Sequence, residues 1–336
     1  MATKTQTFSR DFIWRRVHSL FGLWIVIFLI EHMLTNSQAA LLIGDNGNGF
    51  IRAVNFLKDL PYLQAIEIIL LGVPLLFHAL LGIKYLMTSR MNSFPGKGNK
   101  PSLPKNRRNQ AYSWQRITSW VLLIGILAHV GYMRFYMYPA AVNVGDHSYY
   151  FARLEMDPGL YTVADRLGVT LYDDLDVKRV EKEINFASEG MQGMVHEAKA
   201  IQNKSLPPYH YQDETAALMK KYQALEDKKA WLKGLTKRSL TRGEVIAEAP
   251  DFGTATLLIV RDSFKSVFKA VLYTIFVLAA VYHGFNGLWT FMITWGVVLK
   301  MRSQSKAVNW CTGIMIAIAF LGLASIWGTY FINLRN

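Results

Sequence analysis

The sequence predicts an all-α membrane protein: five transmembrane helices, four of them bundled around shared histidines, plus a mainly helical insertion outside the membrane. Three observations carry that reading. Only 18% of the 336 residues are charged, against 51% hydrophobic and 13% aromatic. Most of the apolar residues fall in five runs, each long enough for the roughly 20 helical residues that cross a bilayer. Four of those runs each hold one deep histidine. Basic residues gather in the short connections, which is how a membrane protein sets its orientation. A formal charge of +13 therefore does not imply a nucleic-acid partner.

The runs cover residues 13–36, 62–87, 114–138, 264–299 and 307–332. The fourth is longer than a bilayer requires, so it is expected to tilt or to project. Glu31, Glu67 and five histidines lie inside these runs. Such groups are expensive in lipid, so each should face protein. Residues 1–40 compete as a secretory signal with cleavage after Ser37–Gln38–Ala39. The apolar stretch is too long for that, and Glu31 and His32 would sit in its core. The single cysteine, Cys311, excludes a disulfide framework, a C-x-x-C redox pair, a Cys-ligated zinc or iron–sulfur centre and a C-x-x-C-H attachment site.

Orientation follows from the short loops. One side collects Lys4, Arg10, Arg15 and Arg16, eight bases from Lys84 to Arg116, and Lys300, Arg302 and Lys306, against the single acid Asp11. The other side has a 37–61 loop with two acids and two bases, and a 139–262 segment with 19 acids and 16 bases. Long loops translocate whatever their charge, so the N-terminus is placed inside and the C-terminus outside.

The chain thus divides into 1–138 with three helices, an outer-side insertion at 139–262, and 263–336 with two more helices. Two amphipathic helices are expected in the insertion, over 177–201 and 214–235, with Pro207–Pro208 and Pro250 as punctuation. His147, His196 and His210 lack metal-ligand spacing and read as surface residues. Asn203–Lys204–Ser205 matches a glycosylation acceptor, a pattern too common to carry weight. The run Pro95–Gly96–Lys97–Gly98–Asn99–Lys100 lacks the spacing and hydroxyl of a phosphate-binding loop and reads as a basic inner connection.

A lone histidine on a helix is usually a hydrogen-bonded core residue. Here the depths form a pattern. His32 and His129 lie about 20 and about 15 residues from the inner starts of their runs. At 1.5 Å rise per residue both sit about 22–30 Å from the inner surface. His78 and His283 are about 16 and about 20 residues from the outer side, which puts them in the inner half. Four unrelated core histidines would not predict this pairing by depth. Two haems, each with iron held by two imidazoles from facing helices, satisfy all four residues and make the four helices a haem-binding bundle.

Gly82, Gly125, Gly131, Gly284 and Gly287 lie near these histidines and would let the backbone stand back from a flat macrocycle, although small residues also help helices pack in lipid. Haem propionates need donors. Arg15, Arg16, His18 and Ser19 stand at the inner end of the first run and Arg134 near the outer end of the third, with interfacial snorkelling as the alternative role for each arginine. Glu67, about five residues into the second run, is the candidate for proton exchange at an outer site. Eleven residues, almost three α-helical turns, would put it on the same face as His78. A bond to another helix is the alternative for Glu67. Glu31 points about 100° away from His32 and reads as a packing or hydrogen-bonding residue.

At this point the sequence resembles a family. The motifs are Arg15–Arg16 before His18–Ser19–Leu20, Glu31–His32 before Asn36, Leu60–Pro61 through Glu67, and Phe77–His78–Ala79. They continue with Gln115–Arg116–Ile117–Thr118 before His129, and with His283–Gly284–Phe285–Asn286–Gly287–Leu288–Trp289 before Thr294–Trp295–Gly296. Together they look like the five-helix, dihaem cytochrome b membrane anchor of succinate:quinone oxidoreductase.

The resemblance implies two haems b. His78 and His283 would hold the inner, proximal one, and His32 and His129 the outer, distal one. It also implies a flavoprotein that handles succinate and an iron–sulfur subunit, both docked on the inner face of a bacterial cytoplasmic membrane. Electrons would pass from the proximal to the distal haem and reduce a quinone near the outer side, menaquinone being the usual partner of the dihaem class. Two features depart from the family: its connection between the third and fourth helices is usually short, and some relatives carry a carboxylate at the position of Val281.

Three rivals remain at the level of the residues. A quinol:cytochrome c cytochrome b would use the 14-residue spacing of His18 and His32, but needs a second helix with such a pair. The cytochrome b of a hydrogenase or formate dehydrogenase would differ in its partner. A haem-free transporter with histidine proton relays would need repeated halves with broken helices.

Overall fold

A computed structural model describes residues 9–40, 47–88, 107–202 and 211–335. Lys4, the 95–100 run, the 203–205 acceptor, Pro207–Pro208 and His210 lie outside the described residues, as does the side chain of His196. The chain forms two compact units, one of Met1–Phe135 with Ser263–Arg335 and one of Tyr136–Asp262.

The first unit holds five helices long and apolar enough to cross a membrane: span I (Arg10–Ser37), II (Leu63–Thr88), III (Arg108–Tyr136), IV (Val267–Thr294) and V (Met301–Asn333). Span I packs against II, IV and V, while span IV packs against I, III and V. Their outward faces are apolar, with Ile124 and Leu127 69% and 70% exposed. In a bilayer, where helix satisfies every backbone polar group internally, such faces meet lipid.

Span I starts where sequence chemistry dictates: the Phe12 N–H donates to the Ser9 side chain at 3.3 Å, a helix N-cap. Span IV differs from its expectation. The apolar run 264–299 is not one long tilted helix. Ser266, in extended conformation, caps a new start at Val267, and Gly296 at φ +72° ends the helix just past Thr294. Val297 and Leu299, which extended the apolar pattern, lie in the exposed connection to span V.

Span II carries a local departure with a traceable cause. Pro74 has no N–H to give the carbonyl four residues back, that of Leu70. The helix widens into a π-turn over Glu67–Gly72, with the Val73 N–H reaching back to Ile68. Trp24 of span I donates its indole N–H to the freed Leu70 carbonyl. Trp24→Phe keeps an aromatic ring and strands that carbonyl, so it should lower stability by about 1–3 kcal/mol. Thermal unfolding of the detergent-solubilised protein measures this, and an unchanged midpoint would mean that another group serves Leu70. Two more π-turns occupy Gly131–Tyr136 in span III and Ala324–Gly328 in span V.

The second unit contains helices over both expected stretches, Asp174–Gln202 and Tyr211–Leu235, the second with little amphipathic character. It also contains a sheet that the sequence reading did not anticipate. Strands β1 (Ala140–Val144), β2 (His147–Glu155), β3 (Thr170–Tyr172) and β4 (Glu244–Ala249) run in the order β1-β2-β4-β3, every neighbour antiparallel. Gly145 at φ +57° turns β1 tightly into β2, pairing Val144 with His147. Phe151 and Ile246 from the sheet pack on Ile184 and Leu232 from the helices. Arg261 grips Asp157 with two hydrogen bonds of 2.9 and 2.8 Å. The Tyr172 hydroxyl donates to Glu248 at 3.0 Å. Burial, with the Glu248 carboxylate beside it, pushes that phenol well above its ordinary range.

Candidate functional site

Spans I and III bring His32 and His129 together, with ring centroids 5.9 Å apart and planes at 79°. Spans II and IV bring His78 and His283 together at 6.2 Å and 85°. All four rings are half-buried between helices. A metal–imidazole bond is about 2 Å long, so two rings facing one metal from opposite sides have centroids about 6 Å apart. Both pairs meet that requirement. Two imidazoles alone do not complete a metal's coordination, and among the described residues no group of three or more His, Cys, Asp or Glu is placed to hold an ion. A group that brings its own in-plane ligands, as a porphyrin does, fits this donor set.

The second nitrogen of each ring has a neighbour, which matters because that contact orients a ligand and sets its tautomer. The His78 Nδ1–H donates to the His18 backbone carbonyl at 3.0 Å. His283 Nδ1 lies 3.3 Å from the Thr118 hydroxyl. That hydroxyl spends its single hydrogen on the Trp114 carbonyl at 2.8 Å, so its oxygen accepts from His283. Gln115, one turn away on the same helix, donates to the His283 carbonyl at 3.1 Å and accepts from Asn286 at 2.7 Å. In the pair of His32 and His129, His129 Nδ1 meets the Tyr273 hydroxyl at 3.2 Å. The Asn36 amide donates to the His32 carbonyl at 2.8 Å and lies 3.4 Å from its Nδ1. In the pair His78 and His283 each Nδ1 donates, which leaves Nε2 as the nitrogen for a ligand bond. Thr118 and Tyr273 were not singled out as histidine partners in the sequence, since only the approach of different helices brings them to the rings, whereas Asn36, four residues after His32 on the same helix, is legible from its spacing and was missed in that role.

The glycines behave less uniformly than expected. A β-carbon on Gly22 would lie 3.0 Å from His78 Cε1, so this glycine, which the sequence reading missed, makes room for a histidine. One on Gly125 would run into the Phe276 ring, and one on Gly284 would meet Val26 and Leu29 at 3.2 and 3.4 Å. Those two glycines admit side chains of neighbouring helices. Gly131 has nothing within 4 Å of that position.

The remaining predicted residues are distributed as follows. The His18 ring stacks on His78 at 4.0 Å, with planes 14° apart. Arg16 donates to the Thr294 carbonyl at 3.2 Å and covers the Phe12 ring at 3.6 Å. Arg15 is exposed and Ser19 half-buried on the same N-terminal stretch of span I. Glu31 accepts from the Thr35 hydroxyl at 2.8 Å, the hydrogen-bonding role expected of it. Arg134 of span III forms an ion pair with Glu67 of span II at 2.9 Å, the bond to another helix that is the alternative reading of Glu67. The same-face relation of Glu67 to His78 does not carry over, because the π-turn at Glu67–Gly72 advances each residue by less than an α-helix does.

Across 123 residues the chain is 34% identical to the succinate dehydrogenase cytochrome b558 subunit of Bacillus subtilis (strain 168), a match covering 36% of this chain and 55% of that protein. The chain therefore spans about half the length of the curated relative it matches. No family model matches the chain, and no solved structure matches it.

Proposed function

We propose that this chain is the cytochrome b membrane anchor of a succinate:quinone oxidoreductase and holds two haems b. The observation that carries the reading is the meeting of four histidines as two pairs, 5.9 and 6.2 Å apart, on four different spans. The likeness to a succinate dehydrogenase cytochrome b558 subunit supports it independently. His78 and His283 hold the proximal haem on the inner side, and His32 and His129 the distal haem on the outer side. Haem b, when bound, carries single electrons across the membrane.

The chain's own residues do the rest. The His18 carbonyl and the Thr118 hydroxyl hold the inner imidazoles with Nδ1 protonated, which leaves Nε2 as the donor nitrogen. Arg15, Arg16 and Ser19 offer donors to propionates at the inner end of span I. Glu67 serves the outer quinone site, where a carboxylate within hydrogen-bond reach exchanges protons with the quinone oxygens. Menaquinone is the quinone this reading favours. The partners are a flavoprotein and an iron–sulfur subunit on the inner face of a bacterial cytoplasmic membrane, with the N-terminus inside, the C-terminus outside and the 139–262 segment on the outer side.

Haem per polypeptide, measured on the chain purified from its native membrane together with a reduced-minus-oxidised spectrum, tests the proposal. Two b-type, low-spin haems are expected. One haem would leave a histidine pair to reassign, and none would return the transporter reading to first place.

A further inference from the structure

The Asp174–Gln202 helix of the second unit carries two opposite stripes of side chains. Val177, Val180, Ile184 and Met191 turn inward onto the core shared with the sheet and the neighbouring helix. On the other side Leu175, Arg179, Lys182, Phe186, Glu189 and Gly193 follow one another at intervals of four and three residues, and all six are exposed. Any helix face repeats at such intervals. The contents distinguish this one: Phe186 is 79% exposed and Leu175 75%, and the charges run in a fixed order, basic before Phe186 and acidic after it. A hollow of about 430 Å³ opens beside Phe186, between Lys182 and Glu189. Large side chains entering hollows on a facing helix are how coiled-coil seams pack.

The order of the charges selects the occupant. A parallel copy in register would set Arg179, Lys182 and Glu189 each against its own kind. An antiparallel copy, turned about a two-fold axis level with Ile184, sets Arg179 opposite Glu189, Lys182 opposite Phe186 and Leu175 opposite Gly193. Every layer then matches. The first is an ion pair. The second lays an alkyl stem and its ammonium over an aromatic ring. The third fits a large side chain over a glycine with nothing within 4 Å of its β-position. Arg179 also holds Asp176 at 2.7 Å, but its side chain is 67% exposed, and a guanidinium has five N–H donors to share. Glu183 approaches its own copy at the solvated edge, where salt screens like charges.

We propose that this helix face pairs with the same face of a second copy of the chain, antiparallel, so that the extramembrane segment joins two anchors. The contact is isologous, each copy lending the same patch. Six residues a side make a small interface, which suits copies already confined to one membrane. The pairing does not depend on the haem reading.

Disulfide trapping of full-length chains in their native membrane tests it. A disulfide needs Cα atoms within about 7 Å. An Arg179→Cys copy co-expressed with a Glu189→Cys copy should cross-link under mild oxidation. Either variant alone should not, since position 179 lies ten residues, about 15 Å, from its own counterpart in this register. Wild type, with only the buried Cys311, gives the background, and an unchanged haem spectrum shows that each variant is folded. Lys182→Cys with Phe186→Cys reads the same register at a second layer, should the first pair assemble poorly. Phe186→Ala in both copies of the first pair should slow cross-linking about tenfold or more, as loss of a central aromatic anchor does. Cross-linking of Arg179→Cys with itself would mean a parallel pair and overturn the register. Cross-linking untouched by Phe186→Ala would reduce the contact to random collision. No cross-link from either mixed pair would overturn the second copy as occupant and leave the face to another protein or to lipid.

Discussion

His32→Ala or His129→Ala is expected to take the haem content from two per chain to one, with the loss confined to the outer site. The expectation follows from how separately the two pairs are supported. The inner rings are held by the His18 carbonyl, Thr118 and Gln115, none of which touches the outer pair. The outer rings depend on Tyr273 and Asn36. If each pair holds one haem, removing one imidazole would take away half of the protein's ligands to it, and the ligand left would not retain a low-spin haem. Redox titration with haem quantification reads the result, and one of two spectral components should vanish while the other keeps its midpoint. His78→Ala or His283→Ala should delete the complementary component. Loss of both haems from either substitution, or of neither, would be incompatible with pairing by depth.

A bilayer imposes a common ruler on the helices that cross it. Successive helices cross about the same thickness in alternating directions, so residue counts along spans I to IV put His32 level with His129 and His78 level with His283, the rings that lie 5.9 and 6.2 Å apart. What they touch on other helices was not legible. Thr118 and His283 are 165 positions apart, and Tyr273 and His129 are 144 apart. Their contacts depend on helix rotation, which periodicity alone does not determine when most faces of a span are apolar. Glu67 and Arg134 show the same limit. Each was visible as a polar residue near the outer end of its span, but their meeting depends on two π-turns that break the 100° count. One cause of that break was visible, since Pro74 follows Glu67 by seven residues and removes a donor from the helix.

The insertion was read with too much weight on its long amphipathic helices. Val142–Asn143–Val144 and Ser148–Tyr149–Tyr150–Phe151 flank Gly145–Asp146, a glycine-led two-residue turn between β-prone segments. That is a hairpin signal in its own right. The apolar count at 264–299 erred in the opposite direction, by ignoring Ser266 as a helix start and Gly296 as a stop. Caps outweigh hydrophobicity at helix ends because the first four N–H and last four C=O groups must find partners outside the helix.

Thr118→Val should weaken haem retention at the inner site about 10- to 100-fold and leave the outer site alone. Valine reproduces the shape of threonine, so the packing of span III is preserved. The hydroxyl that accepts from His283 Nδ1 is what disappears, along with its bond to the Trp114 carbonyl, whose backbone partner within the helix remains. An unheld imidazole loses its preferred orientation and some basicity at Nε2, the usual consequence of removing an outer hydrogen-bond partner from a metal ligand. The effect should stay local, because Thr118 and His129 are 11 residues apart, about 16 Å along the helix. Transfer of haem from the detergent-solubilised protein to an excess of apomyoglobin measures the loss, as a faster phase of one-haem amplitude. Thr118→Ser separates the two parts of the side chain. It keeps the hydroxyl and drops the methyl, so it should release haem as slowly as the wild type. A serine variant as leaky as valine would mean that span III holds His283 by packing, with the hydroxyl incidental to it.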